Sequence, residues 1–288
     1  MSTVDYIWLI VIVFMVMPVL QQKVLRYQRR YLISSFESKR DSRVITMVHR
    51  QEAMKFFGIP LYRYIDINDS EEVIRAVNMT DDDVPVDLIL HTPGGLVLAS
   101  LQIARAIKKH SAKVTVFVPH MAMSGGTLIA LAADEIVMGR HAFLGPVDPQ
   151  IQEYPAASIL ETIKTKPLSE LEDETLILGD VAGKAVVQIR HAVNHLLPES
   201  MPDGKAKKLA DLLSRGAWTH DYPLQYEHLE EFELNVSEEI PDEVYELLSY
   251  YSQPTQQSTG VEFTPTPRKK SSENLPGTRI MNNETSLR

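Results

Sequence analysis

Between residues 86 and 138, short and mostly apolar runs alternate with stretches whose apolar residues recur every three or four positions. Few folds accept that order. A short run with no polar alternation suits a strand covered on both faces, so residues 86–90, 114–118 and 136–138 are expected strands. Residues 96–109 carry Leu98, Leu101, Ile103, Ala104 and Ile107 at helical spacing, and residues 125–133 form a second, small-residue helix. Strand, helix, strand, helix, strand implies parallel pairing through crossovers and an α/β fold. Upstream, residues 44–48 and 62–67 read as strands and 70–77 as a helix opening at Asp69 or Ser70. Downstream, residues 172–197, 206–214 and 241–250 read as helices. No period of 20 to 50 residues suggests a solenoid.

The 288 residues, 44% of them hydrophobic, are enough for one substantial core. There is no Cys, which excludes disulfides, thiolate metal sites and a cysteine nucleophile. Covalent chemistry must then use an oxygen or a lysine nitrogen. The net charge of −9 argues against nucleic acid as a partner, because phosphate neutralisation needs a basic face.

The two ends differ from this body. Residues 6–20 are uncharged and apolar, with Tyr6 and Trp8 suited to a membrane interface. The basic side chains Lys23, Arg26, Arg29, Arg30, Lys39, Arg40 and Arg43 follow the run, and only Asp5 precedes it. Residues 1–22 are therefore expected to be a single transmembrane anchor in the cell membrane, touching lipid, with the main domain cytoplasmic by the positive-inside rule. A cleaved signal peptide is disfavoured because no small-x-small site follows and no basic side chain precedes. Residues 23–42 are expected to be a basic linker helix, 43–251 the folded domain, and 252–288, rich in Gln, Ser, Thr, Pro and Asn, a disordered tail.

Two glycine-containing turns carry the chemistry. His91-Thr92-Pro93-Gly94-Gly95 closes a strand, where backbone N–H groups can approach a carbonyl oxygen. Ala122-Met123-Ser124-Gly125-Gly126-Thr127 joins a strand to a helix. A serine there has its hydroxyl exposed beside a helix N-terminus, an arrangement suited to acyl transfer. The competing reading of the serine is an ordinary N-cap.

Together, His-Thr-Pro-Gly-Gly, Met-Ser-Gly-Gly-Thr and Gly139-Arg140-His141-Ala142-Phe143-Leu144-Gly145-Pro146 resemble the Clp-protease and crotonase-like superfamily of serine peptidases. Val147-Asp148-Pro149-Gln150 and Trp218-Thr219-His220-Asp221-Tyr222-Pro223 resemble the membrane-anchored serine dehydrogenase proteinase family, related to signal peptide peptidase A. The resemblance covers roughly residues 44–236. It implies repeated ββα units, self-association into homo-oligomers, and a serine peptidase that acts on protein or peptide substrates without cofactor, metal or ATP of its own. Ser124 would be the nucleophile, and the N–H groups of Gly125 and of Gly94 or Gly95 the oxyanion donors.

The general base is harder to assign. Where the Clp subunit has a histidine this chain reads Leu144-Gly145-Pro146-Val147-Asp148-Pro149, and His141 comes too early. Relatives of signal peptide peptidase use a lysine on a later helix, which points to Lys184. Ile177, Val181, Lys184, Gln188, His191 and His195 share one helical stripe, with Lys184 where it turns from apolar to polar. A buried lysine can act as a base because desolvation disfavours its charge. Lys164 and Lys166 are alternatives that read as loop residues. His191 and His195 have metal-ligand spacing without a His-Glu-x-x-His pattern. His220 and Asp221 are expected to shape the fold or the pocket rim, with catalysis as the lesser alternative. Crotonase-type acyl-CoA chemistry and a catalytically silent membrane scaffold are the competing functions, and the absence of Gly-x-Gly-x-x-Gly argues against a dehydrogenase.

Overall fold

The computed structural model describes residues 3–49, 55–56, 59–60 and 63–251, with the side chains of residues 3–7, 9–11, 13, 55–56 and 59–60 outside the description. In chain order the elements are α1 (Thr3–Arg40), β1 (Arg43–Val48), β2 (Lys55–Phe56), β3 (Ile59–Pro60), α2 (Ile67–Asn78), β4 (Val86–His91), α3 (Val97–Lys108), β5 (Val114–Val118), β6 (Met121–Ala122), α4 (Gly125–Leu131) and β7 (Glu135–Met138). There follow β8 (Phe143–Leu144), β9 (Gln150–Ile151), β10 (Tyr154–Pro155), α5 (Ala156–Thr165), α6 (Asp173–Leu196), α7 (Asp203–Ser214), α8 (Tyr226–Glu231), β11 (Val236–Ser237) and α9 (Asp242–Ser249).

Five strands form a sheet in the order β1-β4-β5-β7-β11, and each neighbouring pair is parallel. Alternate residues point to opposite faces, so each run feeds two cores. Met47, Leu88, Leu90, Val116, Val118 and Met138 join a cluster with residues of α2, α3, α4, α6 and α7. Val44, Ile89, Phe117 and Val137 join a second cluster with Phe36 of α1 and Val244, Leu247 and Leu248 of α9. Coverage on both faces is why these strands lack polar alternation.

Beyond the carboxyl ends of β4, β5 and β7 the chain makes a second, shorter layer of pairing. β6 pairs in parallel with β8, and Thr92 bridges Ala122 in parallel. The expected strand at 62–67 takes another form. Among its described residues only Ile65 pairs, as a single bridge to Gly95. The run is cut short because Asp66 caps α2: its side chain accepts Asp69 N–H at 3.0 Å, while Asp69 Oδ2 accepts Asp66 N–H at 2.9 Å. The helix thus opens at Ile67 rather than near residue 70. Lys164, expected in a loop, lies in α5, whose Ala156 and Ile159 pack on Ala182 and Val186 of α6.

The helix α1 continues without a break from the apolar run through the basic segment. Its last turns belong to the core: Phe36 is buried and meets Phe117 edge to face at 5.9 Å. Among the described residues, no helix is long and apolar enough to cross a membrane. Part of the expected anchor, including the side chains of residues 6, 7, 9–11 and 13, lies outside the description. So does the expected tail from residue 252 onward.

Candidate active site

The second layer of pairing sets the two glycine turns side by side. Met123 N–H donates to Thr92 O at 3.0 Å and Thr92 N–H to Met121 O at 3.1 Å, locking one turn onto the other. The helix α4 is held to the same rim by Thr127, whose hydroxyl donates between Ala122 O and Gly145 O and accepts Gly145 N–H at 3.0 Å.

Ser124 stands at the N-cap of α4 with φ 50° and ψ −113° and makes no capping hydrogen bond through its side chain. A non-glycine residue at positive φ is strained, and here it stands half-buried at a sharp strand-to-helix elbow. The helix-capping alternative therefore has no support in the geometry.

Gly94 presses on this elbow from the other turn. With φ 105°, its missing Cβ would come within 2.9 Å of Ser124 Cβ and of Met123 O, so no side chain fits. Its N–H is engaged, donating to Thr92 Oγ1 at 3.2 Å. Gly95 is different: among the described hydrogen bonds none uses its N–H, nor that of Gly125. A Cβ on Gly125 would sit 3.5 Å from Gly95 N, so these two amides are neighbours beside Ser124. Of the paired alternatives, Gly95 has the available donor.

The possible bases lie in contrasting places. Lys184 is on the solvent side of α6, its side chain 68% exposed and paired with Asp180 at 2.5 Å. The whole stripe from Ile177 to His195 faces outward in the same way. The burial that a lysine base requires is absent there in one subunit. Lys164 is 72% exposed and paired with Glu161, and Lys166 and His141 are exposed.

A histidine–carboxylate pair joins the segment after β8 to the segment before Leu224. His220 Nδ1 lies 2.8 Å from Asp148 Oδ1, and Asp148 is 2% exposed, with its other oxygen accepting Gln150 Nε2 at 2.7 Å. Both residues spring from the rim that holds Ser124. A Cβ on Gly145, three residues before Asp148, would be 3.5 Å from Ser124 N. Leu144 and Leu224 exchange backbone hydrogen bonds of 2.9 and 3.0 Å, anchoring the segment that carries His220. Trp218 and Tyr222 stack at 5.3 Å on either side of it in sequence. The sequence gives His220 a role in the fold or the pocket rim first, with catalysis as the lesser alternative. The signal was present in Asp148, which occupies the stretch searched for a histidine, but its partner is 72 residues away. Among the described residues no three His, Asp or Glu side chains converge as a metal site.

The family model described as ClpP-like SDH-type serine proteinase matches residues 1–277. Two uncharacterized proteins of Methanocaldococcus jannaschii are each 49% identical, one over 263 residues (91% of this chain, 92% of that protein) and one over 271 residues (94% and 92%). A probable protease SohB of Haemophilus influenzae is 36% identical over 81 residues, 27% of this chain and 23% of that one. Two mutant structures of 1510-N membrane-bound stomatin-specific protease also match. The serine-to-alanine mutant is 20% identical with a TM-score of 0.43, covering 65% of this chain and 79% of that one. The lysine-to-alanine mutant, in complex with a substrate peptide, is 21% identical with a TM-score of 0.44, covering 64% and 74%.

Proposed function

The chain belongs to the ClpP-like SDH-type serine proteinase family, and from that premise we propose that it cleaves peptide bonds through an acyl-enzyme on Ser124, with His220 as general base. The observation that carries this reading is the strained serine beside two adjacent, unengaged amides. In neutral His220 the Nδ1–H donates to Asp148, which fixes the tautomer and leaves Nε2 able to accept the Ser124 proton. Ser124 Oγ bonds to the substrate carbonyl carbon as that proton moves to the imidazole. The carbonyl oxygen, now negative, accepts hydrogen bonds from Gly95 N–H and Gly125 N–H. The imidazolium protonates the departing amine, and water then cleaves the ester, freeing the acid and restoring the serine.

A fluorophosphonate probe tests the nucleophile: the wild type should be labelled and Ser124→Ala should not, and equal labelling of both would remove Ser124 from the mechanism. Steady-state turnover of a peptide tests the base. His220→Ala should lower kcat by roughly 10²–10⁴-fold, the range for a positioned acid–base group, and Lys184→Ala should change it less than about twofold. The opposite pattern would return the role to Lys184.

We also propose that residues 6–20 insert in a membrane as a single-pass anchor with the folded domain on the cytoplasmic side. Support comes from the uncharged run, the interfacial Trp8 and the basic residues that follow. Full-length protein should sediment with membranes and resist carbonate extraction. Extraction by carbonate alone would defeat the anchor.

A further inference from the structure

A buried polar chain behind the glycine loop is not used by the peptidase mechanism. His49, just beyond β1 and 3% exposed, places Nε2 3.3 Å from Asp69 Oδ2 and Nδ1 3.0 Å from Thr92 Oγ1. Thr92 is fully buried, and its hydroxyl oxygen accepts Gly94 N–H at 3.2 Å. Asp69 Oδ2 also accepts Asp66 N–H at 2.9 Å. Next to Asp66, Ile65 donates its N–H to Gly94 O at 2.8 Å and accepts Leu96 N–H at 2.8 Å. Two hydrogen-bonded lines therefore run from His49 to the loop. One reaches Gly94 N–H through Thr92, and the other reaches Gly94 O through Asp69 and the Ile65 segment.

That second contact has a geometric consequence. Gly94 C=O and Gly95 N–H belong to one planar peptide and point in opposite directions, so fixing the carbonyl fixes the amide. Both flanking residues are glycines, for which rotation of that peptide is sterically cheap. An unrestrained loop would turn the Gly95 N–H away at little cost.

We propose that His49 is a positioning residue which, through Thr92 and Asp69, holds the Gly94–Gly95 peptide so that Gly95 N–H points toward the substrate carbonyl oxygen. This rests on the Ser124 peptidase reading. Both ring nitrogens of His49 are engaged, Nε2 with Asp69 Oδ2 and Nδ1 with Thr92 Oγ1, and Thr92 Oγ1 in turn accepts Gly94 N–H and donates to Gly94 O at 3.4 Å. No apolar side chain at position 49 or 92 can continue the chain.

The test compares Thr92→Val and His49→Ala with the conservative Thr92→Ser and His49→Gln in the full chain, measuring kcat and KM separately and following the Gly95 amide resonance by ¹H–¹⁵N NMR. A misaimed oxyanion donor weakens binding of the transition state and spares the ground state. Thr92→Val and His49→Ala should thus lose about 10- to 100-fold in kcat with KM nearly unchanged, while the conservative pair keeps most of the activity. The Gly95 resonance should move in Thr92→Val and stay in place in Thr92→Ser. Folded Thr92→Val and His49→Ala proteins with wild-type kcat, or a loss confined to KM, would overturn the proposal. A wild type without Ser124-dependent turnover would instead remove the peptidase reading. In that case the Gly95 resonance decides alone, and an unmoved signal in Thr92→Val overturns the positioning role.

Discussion

Asp69 connects the site to the stability of the fold. Burial by itself would raise its pKa, but hydrogen bonds from His49 and from Asp66 N–H, with the charges of His49 and Arg63, outweigh it and hold the carboxyl below its ordinary 3.8. A folded-state pKa lowered in this way stabilises the protein above the unfolded-state value, and the contribution is lost as pH falls through the lower folded value. Chemical denaturation from pH 2 to 7 should show wild type losing stability more steeply than Asp69→Asn below about pH 4. Parallel acid limbs would dissociate Asp69 from acid unfolding. At this scale legibility divided sharply. The elbow at Ser124 could be read because its geometry depends on neighbours in sequence, a strand before it, glycines after it and a helix N-terminus. The histidine–carboxylate pair could not, because Asp148 and His220 meet only after the rim strands have formed. Lys184 shows the converse: a helical stripe fixes which residues share a face, but not whether that face is buried.

The strand β4 departs from its apolar pattern at its second residue, where it carries a buried charge. Asp87 is 1% exposed, and Arg40 at the end of α1 grips it through Nε at 2.5 Å and Nη2 at 3.1 Å, with Ser42 Oγ at 2.6 Å. The same guanidinium lies 5.0 Å above the Phe117 ring. The strand itself was legible because Val86, Leu88, Ile89 and Leu90 outweigh one acid, whereas its ion pair depends on the packing of α1 and was not. Removing the cation leaves a buried carboxylate without its partner. Arg40→Met should therefore cost about 2–3 kcal/mol, at the low end for such pairs because the arginine is one-third exposed. Urea melts would show this as a lower midpoint with an unchanged slope. Adding Asp87→Leu to Arg40→Met should recover part of the loss, since the unpaired charge is then gone.

For the whole molecule the consequence is that α1 has two parts with different partners, although one unbroken helix contains both. Its described residues from Phe14 to Leu20 are exposed and apolar, whereas Phe36 is in the core, with Leu32 and Ile33 packed against it. Arg29 lies 4.7 Å over the Tyr251 ring, and Lys39 pairs with Glu243 of α9, so α9 and the residues just after it lean on the same half of the helix. The basic segment after the apolar run is thus a wall of the catalytic domain as well as a connection to it. A chain beginning at Val24 should keep the fold, label at Ser124 as the full chain does, and melt within about 3 °C of it, because none of the described side chains removed is buried. A chain beginning at Asp41 loses Phe36, Arg40 and the cover over Phe117, and should be destabilised by at least the roughly 3–5 kcal/mol expected for deleting one buried aromatic side chain. Circular dichroism melts of the two truncations decide the matter: equal stability would mean that the helix is only a tether, and that the second core closes without it.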